Sequence, residues 1–290
     1  MIKLAFENKL SKKGEFFWLR IAAFSVLIGR AYQHFFFRPP YTELFWDEGI
    51  MKPILDLLEL DWSSFLESNF VTSFQLVSAI ILLLACLVLF LPEKKIKRLR
   101  AIYLLSGIVL LFVALALFKG NFYRIGQLFE YSAQVGSVFL LYYWLGLKNS
   151  VPKNFNLIVR LLVVLTFLCH GLYAIGYYPV PYTFSMMVWE TFPFMTESMI
   201  KYFLLSFGVL DIIAIVFIIY SGKERLYKFA LLYCIVWGTI TAFARLVGTF
   251  YFQMPFESLH GALYEVVYRL PHAILPLYLL LYDRKKEKVL

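Results

Sequence analysis

The chain has 290 residues, of which 61% are hydrophobic, 19% aromatic and only 16% charged. Soluble globular domains carry about 25% charged residues, so this composition and a mean hydropathy of +0.72 exclude an ordinary soluble protein. The net charge of +9 does not indicate nucleic-acid binding, because the basic residues form short clusters between apolar runs, where they act as topology signals. The composition predicts a polytopic membrane protein in contact with the lipid bilayer.

Apolar runs long enough to cross a bilayer, about 20 residues each, recur along the chain. Each is predicted to be a helix, because a segment in lipid has to satisfy its own backbone hydrogen bonds. Basic residues precede the first run, but no small-residue cleavage site follows it, so we expect a retained span and not a signal peptide. The eight predicted spans are 17–37, 70–91, 101–119, 125–146, 157–177, 200–221, 228–249 and 259–282.

The positions of the basic clusters predict the orientation of the chain. The first loop on the opposite side of the predicted spans is acidic, with few basic residues in the other loops there. Both termini are therefore expected in the cytoplasm of a bacterial-type cell, with the protein in its inner membrane. The clusters that share the cytoplasmic side lie at 3–13, 94–100, 148–153, 223–228 and 284–288.

The two halves of the chain follow one plan. In both 20–40 and 160–181 an Arg opens an apolar run, a second polar residue follows ten positions later (Arg30, His170), and a proline follows nineteen after the Arg. This repetition predicts an internal duplication. Because four helices make each unit and four is even, both units should insert the same way up, as a parallel repeat.

Later stretches of the two halves also align, placing Glu130 against Glu265 and Gln134 against Arg269. The predicted fold is an all-α integral membrane protein whose eight transmembrane helices form two tandem parallel four-helix repeats.

Each predicted unit carries one long outer connection. The first unit, 1–147, contains an acidic segment at 43–66 whose apolar residues predict an amphipathic helix on the outer surface. The second unit, 148–290, contains an aromatic, almost uncharged segment at 178–198, which we expect to dip into the membrane interface. The two segments occupy equivalent places and are interpreted as lids.

Polar groups inside the predicted spans are the informative residues, because each costs a few kcal/mol in lipid and usually faces a partner or a cavity. In the predicted orientation they form a layer in the outer half of the membrane, and spacings of three and four put each set on one helix face. The candidate ligand-binding residues are Arg30, His34, Glu130, Gln134, His170, Arg245, Glu265, Arg269 and His272.

The polar layer has two interpretations that do not exclude each other. Arg30 with Glu130, and Arg245 with Glu265, would be buried ion pairs that hold helices in register. Alternatively, the same groups would grip the polar head of a ligand. Asp211 stands alone in the sixth predicted span and is expected to be a local hydrogen-bonding carboxyl.

The sequence gives little reason to expect a metal ion or haem. His170 and His272 would be the axial ligands of a haem b, but the aligned positions of the first half are Arg30 and Ser137, which disfavours this cofactor. A metal site from His170, Glu265 and His272 is disfavoured in the same way, so no metal is expected. The three cysteines lie in apolar runs and are expected to be buried and reduced: Cys86, Cys169 and Cys234.

The stretch RLLVVLTFLCHGLYAIG resembles the first helix of the DoxX-like membrane protein family, which opens with Arg and carries a His-Gly pair, here Arg160, His170 and Gly171. The stretch KYFLLSFGVLDIIAIVFI is similar to the second helix of that family, with Gly208 and Asp211. The resemblance fits the second half. The first half has Arg-Ala in place of His-Gly, and its FWDEGIMKP segment is similar to HTTM membrane domains.

The DoxX-like resemblance implies a membrane subunit of a quinone-linked oxidoreductase. We therefore expect a quinone-like or other small amphipathic ligand, with Arg30, His170 and Arg245 donating hydrogen bonds to its carbonyls while Glu130 and Glu265 orient those donors. No catalytic motif or redox centre is encoded, so electrons would come from a soluble or membrane redox partner. The alternative is a protein without chemistry, either a transporter of a small anion or a structural or assembly protein.

Overall fold

The computed structural model describes residues 2–147, 152, 154–220 and 223–283, and over these residues the regular secondary structure is helical. The basic residues Lys148 and Lys153, beside the predicted boundary between the halves, and the cluster at 284–288 lie outside the described residues. The helices are α1 (Ile2–Phe36), α2 (Thr42–Phe45), α3 (Glu48–Leu57), α4 (Trp62–Glu67), α5 (Phe70–Val88), α6 (Glu93–Arg98), α7 (Ala101–Gly120), α8 (Ile125–Glu130), α9 (Ser132–Gly146), α10 (Phe155–Ala174), α11 (Tyr182–Thr191), α12 (Glu197–Ile219), α13 (Glu224–Gly248), α14 (Pro255–Arg269) and α15 (Pro271–Tyr282).

The helices have the composition of a membrane protein. Within the described part of the chain, five of them are long and apolar enough to cross a bilayer: α5, α7, α10, α12 and α13. On α5, Leu76, Ile80, Leu84 and Leu87 repeat at spacings of three and four and are about half exposed, so one face of the helix is an apolar stripe suited to lipid. The prediction of an all-α membrane protein is thus confirmed in its coarse form.

The other three predicted spans coincide with one long helix and two broken ones. The span at 17–37 lies within α1, which carries two arginines in its apolar run. The span at 125–146 is divided into α8 and α9 at Tyr131, and the span at 259–282 is divided into α14 and α15 at Leu270. The count of eight spans and the position of the termini remain predictions.

The two interrupted helices are broken for different reasons. Pro271 begins α15 and has no backbone N–H, so the hydrogen-bond ladder of α14 cannot continue through it. The break at Tyr131 has no proline near it. There the Tyr131 N–H reaches the Leu128 carbonyl at 3.3 Å in a tighter turn, and packing holds the bend. Both breaks lie in the polar layer.

The two halves meet through their first and last helices. The first helix of the chain, α1, packs against α5 and α9 of its own half and against α14 and α15 of the other. Correspondingly, α10 packs against α12 of its own half and against α8 and α9 of the first. The hydrophobic core is continuous across this contact and includes Cys86 and Cys234. Cys169 is buried as well, and all three cysteines are free thiols.

The first outer segment is helical, as predicted, and packs on its own half. Asp47 caps α3 through the Ile50 N–H and forms an ion pair with Lys119 at the end of α7, with 2.8 Å between Nζ and Oδ2. The Lys119 ammonium and the capping N–H together hold the pKa of Asp47 below its usual range. Met51 and Leu55 are buried against the protein, whereas Ile54 and Leu57, on which the amphipathic prediction also depended, are exposed.

Candidate functional site

Glu130 is the centre of a buried polar cluster that joins the two halves. As the last residue of α8, it directs its carboxylate towards α10 and α14. Its Oε1 atom lies 3.2 Å from Nε2 of His170 and 3.9 Å from Nη1 of Arg269, while the Gln127 amide donates to Oε2 at 3.2 Å. His272 lies beside this cluster, its ring 5.6 Å from that of His170. Four of the predicted site residues are therefore brought together here.

Arg245 and Glu265 form the ion pair that the sequence suggested. The guanidinium Nη1 atom on α13 donates to Oε2 on α14 at 2.8 Å, and both side chains are partly buried. On α14, Glu265 lies one helical turn before Arg269. It orients the Arg245 guanidinium towards the space between α13 and α14.

Arg30 does not pair with Glu130, in contrast to one of the two sequence-based interpretations. It donates instead to the side-chain oxygens of Gln33 and Gln134, both at 2.7 Å, and its guanidinium stacks 3.8 Å over the ring of Tyr268. The bend at Tyr131 explains the difference, because it turns Glu130 away from α1 and towards α10. Arg30 consequently holds α1 against α9 and α14.

His34 is engaged at both ring nitrogens. Nδ1 lies 2.6 Å from the Arg30 carbonyl and Nε2 lies 2.8 Å from the Tyr41 hydroxyl. The Gln75 amide donates to the carbonyls of His34 and Phe37, which fixes the end of α1 against α5. These contacts give His34, Arg30 and Gln134 a role in the packing of the first half.

A cavity of about 480 Å³ lies within the second half, enclosed by α10, α11, α12, α13 and α14. Three predicted site residues line it, His170, Arg245 and Arg269, together with Asp211. The remaining wall is largely apolar and includes six aromatic side chains: Phe184, Phe192, Phe203, Phe207, Trp237 and Phe243. A second groove, between α7, α9 and α10, has an apolar lining apart from Ser132 and the tyrosine hydroxyls and holds no charged group.

The second outer segment covers this cavity. Gly176 adopts a φ of 83°, which ends α10 soon after His170 and lets the chain turn back over the helix ends. The following α11 contributes Phe184, Met187, Val188 and Thr191 to the cavity wall. The segment 178–198 thus lies over the cavity, whereas 43–66 packs on side chains of its own half and carries a shallow depression lined by Glu48, Lys52 and Asp56.

The cavity wall contains buried donors that lack partners among the described residues. The Nε atoms of Arg245 and Arg269 are buried without a hydrogen bond, and the buried Nε2 atom of His170 has Oε1 of Glu130 at 3.2 Å as its neighbour. A buried donor left unpaired costs about 1 to 3 kcal/mol. The cavity itself is lined by the side chains of Arg245 and Arg269, and a guanidinium group carries five N–H donors, so a ligand with acceptor oxygens suits this wall.

The two glycines named in the DoxX-like resemblance meet at the crossing of α10 and α12. A Cβ atom on Gly171 would come within 3.0 Å of the Gly208 carbonyl oxygen, and one on Gly208 would come within 2.9 Å of the Ile175 backbone nitrogen. The close approach sets His170 and Asp211 on either side of the cavity. The sequence predicted only a local hydrogen-bonding role for Asp211. Gly208, three residues earlier, was the signal that this part of α12 packs closely against another helix.

Replacing Gly208 with valine is expected to lower the free energy of unfolding by at least about 1 to 3 kcal/mol, because its side chain meets backbone atoms of α10 that cannot move aside alone. Thermal unfolding of the purified protein in detergent measures the effect. Gly261 is the matched control, since a Cβ atom there has no neighbour within 4 Å. Equal stability of the G208V and G261V variants would contradict this description of the crossing.

Metal and haem ligation receive no support from this geometry. Among the described residues, no group of three or more His, Cys, Asp or Glu side chains is arranged to hold a metal ion. Of the set His170, Glu265 and His272, Glu265 is engaged with Arg245, and the two imidazole rings meet edge to face at 63°.

Comparison of the chain with protein-family models, curated proteins and solved structures found no match.

Proposed function

We propose that the cavity of the second half binds a small amphipathic ligand with acceptor oxygens, of the quinone type. The observation that carries this proposal is that the polar side chains of His170, Arg245 and Arg269 line a cavity whose wall is otherwise largely apolar. Such a ligand would accept hydrogen bonds from these donors and lay its ring against the aromatic walls. A volume of about 480 Å³ falls in the range of sites for small organic ligands.

Access from the bilayer favours a membrane-soluble ligand. Three residues of the cavity wall on α13, Ile240, Phe243 and Val247, are about half exposed, so the cavity extends to the apolar outer surface of the protein. A lipid-soluble ring compound would enter there without crossing water. A small inorganic anion would have to pass an aromatic wall, which disfavours the transport alternative.

The residues of the site divide into two roles. Arg245, Arg269 and His170 bind the ligand oxygens. Glu130 and Glu265 orient these donors and balance the charge of the two guanidinium groups, which could not be buried alone. The helix α11 excludes water from the site, and lower water access strengthens each of these hydrogen bonds.

The same proposal covers the arrangement of the chain in the membrane. In this proposal the chain forms eight spans in two tandem parallel repeats, 1–147 and 148–290. Both termini lie in the cytoplasm, and the site lies in the outer half of a bacterial inner membrane. The equivalent packing of α1 and α10 against the last helices of the other half supports the repeat. Together with the DoxX-like resemblance, this supports a membrane subunit of a quinone-linked oxidoreductase, in which a soluble or membrane partner supplies the electrons.

Binding of a short-chain benzoquinone to the protein in lipid nanodiscs tests the proposal. Calorimetric titration is expected to give saturable binding at one site, absent from empty nanodiscs. The Arg245→Gln variant is expected to bind about tenfold more weakly, because it loses a charge-assisted hydrogen bond.

Arg124 provides the matched control, because it lies at the outer end of α8 without lining the cavity. The R124Q variant should bind like the wild type. Absence of saturable binding to the folded wild type, or equal loss of affinity in R245Q and R124Q, would contradict the proposed site.

A further inference from the structure

The cavity is a slot whose two ends differ in chemistry. Along α13, the wall residues Trp237, Thr241 and Arg245 repeat every four residues, so the slot extends over about 12 Å at 1.5 Å per residue. Arg245 lies at the outer end, with Arg269 and His170 deeper along the wall. Asp211 lies at the inner end beside Trp237.

The inner end of the slot is built around the Asp211 carboxyl group. Asp211 is 2% exposed, and the Tyr233 hydroxyl donates to Oδ1 at 2.8 Å. The Trp237 indole also lines this end, and its ring stacks on Phe207 at 3.9 Å, which makes the end narrow and aromatic. A carboxylate has about four acceptor positions, so the hydrogen bond from Tyr233 leaves capacity for a further donor.

The charges of the cavity wall leave Asp211 without a partner of opposite sign. Arg245 is balanced by Glu265, and Arg269 is balanced by Glu130. Over the described residues, no Lys, Arg or His nitrogen forms an ion pair with Asp211. A buried carboxyl group without a cation is stabilised by any further donor that reaches it.

We propose that the ligand carries a hydrogen-bond donor, a hydroxyl or a protonated amine, at the end opposite its acceptor oxygen, and that Asp211 receives this donor. This inference rests on the proposed function and adds to it the polarity and the orientation of the ligand. The acceptor end lies towards Arg245 and Arg269, and the donor end lies at Asp211. Ring compounds with acceptors at both ends bind more weakly than their hydroxylated counterparts.

Matched aromatic ketones test the inference in lipid nanodiscs. The probes are para-hydroxyacetophenone, para-methoxyacetophenone and para-(aminomethyl)acetophenone, which share the carbonyl and differ at the opposite end. Calorimetric titration is expected to show that the wild type binds the hydroxy probe at least about tenfold more tightly than the methoxy probe. The aminomethyl probe then distinguishes a charged donor from a neutral one.

The Asp211→Asn variant is expected to reduce the preference for the hydroxy probe to less than about threefold while the methoxy probe binds as before. Tyr233→Phe gives a second measurement that does not remove the carboxyl group. It frees Oδ1, so the preference for the hydroxy probe should be kept or increased, even if D211N does not fold. An Arg245→Gln variant should weaken both probes by the same factor, because both share the carbonyl.

Three results would count against the inference and can be told apart. If the wild type binds both ketones equally and R245Q weakens both, the cavity binds acceptor ligands and only the role of Asp211 is wrong. If no ketone and no benzoquinone binds the folded wild type, the proposed function fails as well. A preference for the hydroxy probe that falls in Y233F also counts against Asp211 as the receiving group.

Discussion

Replacing Glu130 with alanine is expected to lower the free energy of unfolding by about 3 to 5 kcal/mol, the usual cost of leaving a buried charge without its partner. The carboxylate is buried and contacts both His170 and Arg269, and Arg269 is itself only 7% exposed. Without Glu130, the guanidinium group would remain in a region of low dielectric constant without this counter-charge. Chemical unfolding of the protein in detergent, followed by near-UV circular dichroism, measures the change.

Two further variants test whether the loss of stability comes from the buried charge. The double variant Glu130→Leu with Arg269→Leu removes both charges and should recover most of the lost stability. Glu48 provides the surface control, because its ion pair with Lys52 is about half exposed and worth little. If E130A were as stable as E48A, the central cluster would not be a buried ion pair.

The positions of the helices could largely be predicted from the sequence, because the length and hydropathy of a span are local properties. The predicted span 101–119 corresponds to α7 (Ala101–Gly120), and 70–91 corresponds to α5 (Phe70–Val88). The break before Pro271 could also be predicted, since proline removes a backbone donor. The break at Tyr131 could not, because no residue there forbids a helix and only packing produces the bend.

The members of the polar layer could be predicted, but their partners only in part. Glu265 contacts Arg245 as the sequence suggested. Glu130 contacts His170 and Arg269 in place of Arg30, because the bend before α9 changes the direction in which its side chain points. Sequence spacing predicts which residues share one face of a regular helix. It does not predict this across an interruption of the helix.

The cavity could not be predicted, because empty volume depends on how side chains of distant segments fill space. The duplicated plan of the sequence places a polar set in each half. The cavity lies in the second half, under α11. In the first half, side chains of the segment 43–66 pack in a cluster with those of its neighbours, namely Tyr41, Phe45, Met51, Leu55 and Val113, so the corresponding place is filled with side chains.

Replacing Ala244 with phenylalanine is expected to weaken binding of the benzoquinone by about 100-fold or more, equivalent to about 2.7 kcal/mol. Ala244 lines the cavity on α13, one residue before Arg245, so the larger side chain would occupy the volume proposed for the ring. Because the cavity already has room for the added atoms, the free energy of unfolding should change by less than about 1 kcal/mol. Titration in nanodiscs and chemical unfolding measure the two quantities on the same sample.

Val236 provides the control on the same helix, since it is 57% exposed and does not line the cavity. The V236F variant should bind the benzoquinone like the wild type, because the added ring would face lipid. A loss of binding in A244F without a loss in V236F, at equal stability, locates the ligand inside the second half. Undiminished binding to A244F would mean that the ligand occupies another surface, and the roles assigned to Arg245, Arg269 and His170 would be wrong.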